Sequence, residues 1–372
     1  MVPTWPIQVT GIVASASLWP ICPPQLGSAS SGAPSLRVLF IGGTGLISTA
    51  CSEELLAAGH ELWLFNRGHQ APIPGARVLR GDAHDEAALG RLVAGTDWDV
   101  VVDWVAYVPG DVARDIRIFG GSTGQYVFIS SASAYEKPPS HWLVTEATPL
   151  SNPYWQYSRD KIACELLLRE ASELAWTIVR PTLTYGPAQI PVCVGSWAKP
   201  YTIVDRIRRG APVLVPGDGT AIWTITHNRD FARGLAGLLG RPEALGEDFH
   251  ITSDEALTWD QIYKHVADAC GAKANILHVP TDALVAADPG QEGSLWGDKA
   301  HSTVFDNSKL RRLVPGFAAQ VPFAQGIRET VAWLDAHPQL QGVDEVANAG
   351  WDRLAAIYLQ ALEQARSVGA HS

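Results

Sequence analysis

Tyr157 and Lys161 stand four residues apart in Tyr157-Ser158-Arg159-Asp160-Lys161, and Ser131 lies upstream in Ile129-Ser130-Ser131-Ala132-Ser133. On a helix, residues four apart share one face. An ammonium beside a phenol favours the phenolate and lowers its pKa towards neutrality. A tyrosine tuned in this way can take or give the proton of an alcohol while hydride moves to or from a nicotinamide. Ser131, at a strand end, can hold the same oxygen. Helices contain this Tyr/Lys spacing by chance, so the elements that position it must decide its meaning.

The first of those elements is the stretch 36–48. Residues 38–41 form a short apolar run, Gly42-Gly43-Thr44-Gly45 follows, and residues 46–58 have helical character. Strand, glycine turn and helix open a dinucleotide-binding unit. Gly42 supplies a turn conformation closed to other residues, and Gly45 lets a pyrophosphate approach the backbone. The N–H groups around Thr44, Leu46 and Ile47 then offer donors at the positive end of the helix. Ser48 occupies the third position of the glycine pattern, which predicts looser helix–strand packing.

Further strands are expected at 61–65, 77–82, 99–103 and 125–131, with helices at 85–94 and 112–119 between them. Residues 160–170 have helical period. This alternation predicts an α/β fold, a doubly wound parallel sheet. Ligands bind at the carboxyl ends of such strands, where Gly42, Arg67, Asp82, Asp103 and Ser131 all fall. After the second strand stands Asn66-Arg67-Gly68, with no carboxylate to bind both ribose hydroxyls of NAD. Arg67 suits the 2′-phosphate of NADP, although a solvated turn arginine is the plain alternative. Asp82 is placed to hold an adenine amine.

Composition excludes several classes. The 372 residues are 47% hydrophobic, enough for two domains or one large α/β unit with a sizeable core. The formal net charge of -10 and the lack of any basic run argue against a nucleic-acid partner. The cysteines (Cys22, Cys51, Cys164, Cys193, Cys270) show no paired spacing, which fits a reducing, cytoplasmic setting. No apolar stretch is long enough for a bilayer, so no membrane partner is expected. Residues 1–34 are rich in proline, glycine and serine. They read as a disordered extension or an upstream start outside the fold. A cleaved signal is the lesser alternative, because the first basic side chain is Arg37.

These pieces together resemble the extended short-chain dehydrogenase/reductases, in particular the NAD-dependent epimerase/dehydratase family. The resemblance rests on Ile41-Gly42-Gly43-Thr44-Gly45, the stretch from Ile129 to Tyr135, Tyr157 with Lys161, and Arg180-Pro181-Thr182-Leu183-Thr184-Tyr185-Gly186-Pro187. Gly217-Asp218-Gly219 and His227 match later landmarks, so it runs over about residues 36–335. It implies a Rossmann doubly wound sheet with a smaller C-terminal substrate domain. It also implies an NAD(P) cofactor held by Gly42, Thr44, Gly45, Leu46, Ile47, Arg67, Asp82, Lys161 and Pro181. Ser131, Tyr157 and Lys161 would be catalytic: Tyr157 the acid/base, Lys161 its tuner and a ribose ligand, Ser131 the group that positions the substrate oxygen. Ser133 is the alternative hydroxyl.

Two departures bear on the substrate. Asp160 stands where a serine usually precedes the lysine; it either opposes the tuning or faces solvent. Trp223 stands where sugar-nucleotide enzymes of the group carry an arginine; a tryptophan can instead stack on a sugar or base. Arg206, Arg208 or Arg229 can substitute for that arginine, though surface exposure is the ordinary expectation for each.

The expected organisation is an extension over 1–34, a dinucleotide domain over 35–181 completed by part of 225–253, a substrate region over 182–340, and an amphipathic helix over 341–372. Residues 190–201, with Trp197 and Tyr201, read as a substrate loop, or as packing between domains. His227, His250, His278 and His301 have no ligand spacing, so no metal is expected. Trp351, Leu354, Ala355, Tyr358, Leu359 and Leu362 form a helical stripe that must bury itself on the body or, in a homodimer, on a second subunit. The expected function is hydride transfer at a carbinol carbon of a sugar or sugar-nucleotide-like small molecule, as oxidoreductase or epimerase. A catalytically weak RNA- or partner-binding protein is the alternative.

Overall fold

The computed structural model describes residues 34–369, so the extension over 1–34 lies outside the described residues save for Pro34, as does Cys22. The five strands β1 (Arg37–Ile41), β2 (Glu61–Asn66), β3 (Arg77–Arg80), β4 (Trp98–Asp103) and β5 (Thr123–Ile129) join two later strands, Trp176–Pro181 and Glu247–Ile251. Together they make a seven-stranded parallel sheet. Its order is Glu247–Ile251, Trp176–Pro181, β5, β4, β1, β2, β3. The strand at Glu247–Ile251 returns from far along the chain to complete the sheet, within the 225–253 stretch expected to do so.

The period of two along each strand sends neighbouring side chains to opposite faces. Val38 and Phe40 point to one core, with Val100, Val102 and Val127. Leu39 and Ile41 point to the other, with Val101, Tyr126 and Phe128. Both faces are covered, which is why these strands read as unbroken apolar runs. Helix α1 (Leu46–Ala57) and the helix Asn228–Leu238 cover the first face through Cys51, Leu55, Phe231 and Leu235. Helices α2 (Glu86–Val93), α3 (Pro109–Phe119) and α4 (Gln156–Glu170) cover the second through Leu89, Val112, Cys164 and Leu168. Each of these buried aliphatic or aromatic side chains stabilises the fold by about 1.5–3 kcal/mol relative to exposure.

A separate core gathers residues between 185 and 355, built on the parallel strand pair Pro212–Pro216 and Asn275–Val279. Part of the expected substrate loop belongs to it: Ile190, Val192, Cys193 and Val194 are buried there. The C-terminal helix Glu345–Gly369 packs Trp351, Leu354, Ala355 and Tyr358 on the same core, whereas Leu359 and Leu362 stay exposed. The stripe therefore docks on its own chain over its first half. Cys51, Cys164, Cys193 and Cys270 are free and buried. Among the described residues no helix is long and apolar enough to cross a membrane.

Candidate active site

The register of the sheet fixes the nucleotide side. Ile41 pairs with Phe65 on one side and Asp103 on the other, so the chain leaves β1 in the crevice between β2 and β4, where the strand order reverses. Gly42 and Gly43 take φ of +96° and +93°. A Cβ on Gly43 would stand 2.7 Å from the Leu64 side chain, so glycine is required there. Gly45 is exposed and precedes α1, with Thr44, Leu46 and Ile47 part-exposed beside it. The first N–H groups of a helix have no partner within it, so this turn fits a pyrophosphate. Ser48 is buried, and its Oγ accepts from the Gly45 N–H at 2.8 Å. The Ser48 hydroxyl thus closes the turn at the position of the third glycine.

Asp103 is not a free strand-end carboxylate. It is fully buried, accepts from the Val105 and Ala106 N–H groups, and pairs with Arg114 at 2.9 Å. Arg67 and Asp82 are exposed at the ends of β2 and β3. Asp82 accepts from the His84 N–H, and Pro181 ends its strand part-exposed.

Helix α4 carries Tyr157 and Lys161 on one face, and a buried polar network fixes that helix. Ser130 Oγ donates to Glu165 at 2.6 Å; Glu165 pairs with Arg180, and Arg180 with Asp248 at 2.7 Å and Tyr135 Oη at 2.9 Å. Tyr135 in turn meets His250 Nδ1 at 3.0 Å. Arg180, the arginine of the Arg-Pro motif, thus locks the strand ends to α4. Asn152 fixes the entry to the helix. Its Nδ2 donates to Ser133 O at 2.8 Å and Gly297 O at 2.7 Å, while its Oδ1 accepts from the Tyr154 and Trp155 N–H groups. Sequence reasoning missed Asn152, although Asn152-Pro153 is a turn signal.

The Ser131 hydroxyl lies near enough to Tyr157 to favour its phenolate. Ser131 Oγ lies 2.9 Å from Ser133 Oγ, to which Ser158 Oγ donates at 2.8 Å. Lys161 Nζ, one turn from Tyr157, donates to Ala106 O at 2.7 Å and Ile129 O at 2.8 Å. It stands 5.8 Å from the centre of the Tyr157 ring and 4.7 Å from that of Tyr107. Burial pushes Lys161 down to about 8. The expected lowering of the Tyr157 pKa is corrected. Burial raises it above the usual phenol value, the neighbouring Tyr107 adds to this, and the nearby Ser131 hydroxyl opposes it. The ammonium is turned to two backbone carbonyls instead of the phenol oxygen. Asp160 accepts from Gln156 at the exposed side of the helix, so it faces away from the tuning.

The substrate side departs further from expectation. Trp223 is only 3% exposed; it packs on Trp259 and donates its indole N–H to His301 O at 3.0 Å. It is a core residue and offers no open face for stacking. Arg206 is buried, not a surface charge: it binds Pro212 O, Asn348 and Asp352. Arg208 pairs with Asp335 and Arg229 with Glu329. Trp197, in contrast, is 56% exposed. His227 caps the helix Asn228–Leu238 and is held down at about 3 by burial. Among the described residues no group of acidic, histidine or cysteine side chains could hold a metal.

The model of the NAD dependent epimerase/dehydratase family matches residues 38–118 and 111–252. A 2′-dehydrokanamycin reductase of Streptomyces kanamyceticus is 31% identical over 314 residues, 81% of this chain and 85% of that protein. A chloroplast stem-loop binding protein of 41 kDa b from Arabidopsis thaliana is 28% identical over 262 residues, 65% of each chain. Among solved structures, a dTDP-glucose 4,6-dehydratase from Bacillus anthracis in complex with NAD superposes with a TM-score of 0.65 at 18% identity, over 82% of this chain and 98% of that one. With the glycine turn, the parallel sheet and the Tyr–Lys helix in place, the chain belongs to the NAD dependent epimerase/dehydratase family of enzymes.

Proposed function

We propose that this chain is an NAD(P)-dependent oxidoreductase or epimerase acting at a carbinol carbon of a sugar or sugar-nucleotide-like substrate. The observation that carries the reading is helix α4, which brings Tyr157 and Lys161 together beside the glycine turn, with the Lys161 ammonium anchored on Ala106 O and Ile129 O and the Ser131 hydroxyl near the phenol. The cofactor, when bound, supplies the hydride acceptor or donor. Gly42, Thr44, Gly45, Leu46 and Ile47 would hold its pyrophosphate, with Asp82 at the adenine, Arg67 at a 2′-phosphate, and Lys161 and Pro181 towards the nicotinamide end. The open guanidinium of Arg67, with no acidic side chain at the same strand end, supports NADP over NAD.

Tyr157 would exchange the proton of the reacting hydroxyl, and Ser131 would hold the oxygen while that proton moves. The raised pKa keeps Tyr157 protonated at neutral pH. In the oxidising direction its phenolate would take the proton; in the protonated form it gives one to a nascent alkoxide, as ketone reduction requires. The name of the 31% identical relative, a reductase, agrees with this direction. Purified protein titrated with NADPH and NADH and then offered a panel of keto sugars and sugar nucleotides tests the reading. Consumption of reduced cofactor is the expected result; none with any ketone overturns it. The stem-loop binding relative keeps a second reading in play, an RNA-binding role for the same fold. A salt-dependent mobility shift of RNA, with no cofactor turnover, would favour that one.

A further inference from the structure

A cluster of charged side chains lies outside the Ser131, Tyr157 and Lys161 set, on the substrate side of it. The segment Leu295–Lys299 is a π-helical turn, a form that is rare and concentrates at functional sites. Its attachment is specific: Asn152 ties Gly297 O to Ser133 O, and Gly293 and Gly297 lie so close to Trp155 that a Cβ on either would meet its atoms at 2.3 and 3.0 Å. Trp155 is itself 5.1 Å from the Tyr157 ring, centre to centre. The turn therefore presents Asp298 and Lys299 to the reacting end of the site.

Lys299 is 3% exposed; its Nζ lies 3.7 Å from Asp298 Oδ2 and over the rings of Trp155 and Trp197, at 5.9 and 5.6 Å. Lys137 is 4% exposed, and within electrostatic reach of Asp298. Among the described residues no carboxylate pairs directly with its ammonium. Asp298 thus pairs with the ammonium of Lys299 and lies within electrostatic reach of that of Lys137, both on side chains that are almost wholly buried, where charge is costly unless it is paired. Burial lowers the pKa of the nearby His301 imidazole, which disfavours a third positive charge beside them.

We propose that Lys137 and Lys299 form an anion-recognising wall beside Tyr157, so that the carbohydrate this chain takes carries a carboxylate or phosphate that completes the charge of the Lys137–Asp298–Lys299 cluster. The inference rests on the site reading given above and narrows its substrate class. Trp155 and the exposed Trp197 flank Lys299, so an apolar sugar face can lie on a ring while the anion reaches the ammonium groups.

Calorimetric titration of the full chain, saturated with oxidised NADP, tests this with four probes: D-glucuronate, D-glucose 6-phosphate, D-glucose and D-glucosamine. A charge-assisted hydrogen bond predicts that at least one anionic probe binds about tenfold or more tighter than glucose and glucosamine. The two anionic arms tell carboxylate from phosphate. Lys137→Met and Lys299→Met should each lower that preference about fivefold or more, without weakening NADP. The wild-type comparison stands even if a variant misfolds. Equal binding of neutral and anionic probes, or no binding of either anionic probe, overturns the inference. It leaves the hydride-transfer reading untouched, since that is measured separately, by reduced-cofactor consumption with keto sugars and sugar nucleotides and by Tyr157→Phe.

Discussion

Lys161 offers a direct test of how its charge is housed. The side chain is 2% exposed, its ammonium is held by Ala106 O and Ile129 O, and burial lowers its pKa from 10.5 to about 8. Between those two values the unfolded chain keeps the lysine proton while the folded chain releases it. The unfolded state then binds more protons, so stability rises with pH through that window. At about 1.4 kcal/mol per pH unit, the rise contributed by Lys161 is on the order of 3 kcal/mol. Lys161→Met removes it. The variant also leaves two carbonyl oxygens without a donor, a loss of about 1–3 kcal/mol each that does not depend on pH. Urea unfolding of both proteins, measured at intervals from about pH 7 to about pH 10.5, gives the difference curve. Wild type should gain on the variant steadily above about pH 8 and level off near the ordinary lysine value. A difference that is flat across the window refutes the account of a buried, poorly neutralised ammonium.

Asn152→Ala removes the donor for Ser133 O and Gly297 O; a loss of about 2–5 kcal/mol is expected, read as a lowered midpoint in thermal unfolding. Gly43→Ala forces a side chain into φ +93° and against Leu64. It should cost about 1–3 kcal/mol and weaken nucleotide binding, measured by titration with NADP and NAD alike. Arg67→Ala should weaken NADP about tenfold and leave NAD nearly unchanged; equal effects on both would remove the assignment of Arg67 to a 2′-phosphate.

The nucleotide half was legible because its signals are local. Runs such as Val100-Val101-Val102 must be buried on both faces, and a glycine turn between strand and helix has few other uses. The Tyr157 and Lys161 spacing placed both on α4 for the same reason. What Lys161 binds was not legible: Ala106 and Ile129 belong to the ends of other elements, and only the assembled sheet brings their carbonyls together. That is why the expected tuning of Tyr157 had the wrong direction. Trp223 illustrates a second limit. Its identity in place of an arginine was visible, but identity does not reveal exposure, and Trp259 closes over it. Ser48 shows the reverse case, a departure from pattern in which the new hydroxyl itself closes the turn. The substrate side was least legible. Lys137 and Lys299 sit in short irregular segments with no period, and the residue that joins those segments, Asn152, is in a loop.

In the proposed reaction Tyr157 passes the proton during hydride transfer. Single-turnover oxidation of bound reduced cofactor by a ketone substrate, compared in wild type and Tyr157→Phe, tests it most directly. The account predicts that the variant binds cofactor and ketone with unchanged affinity and transfers hydride about a hundredfold to ten-thousandfold more slowly. Transfer at the wild-type rate with the phenol oxygen gone would contradict it.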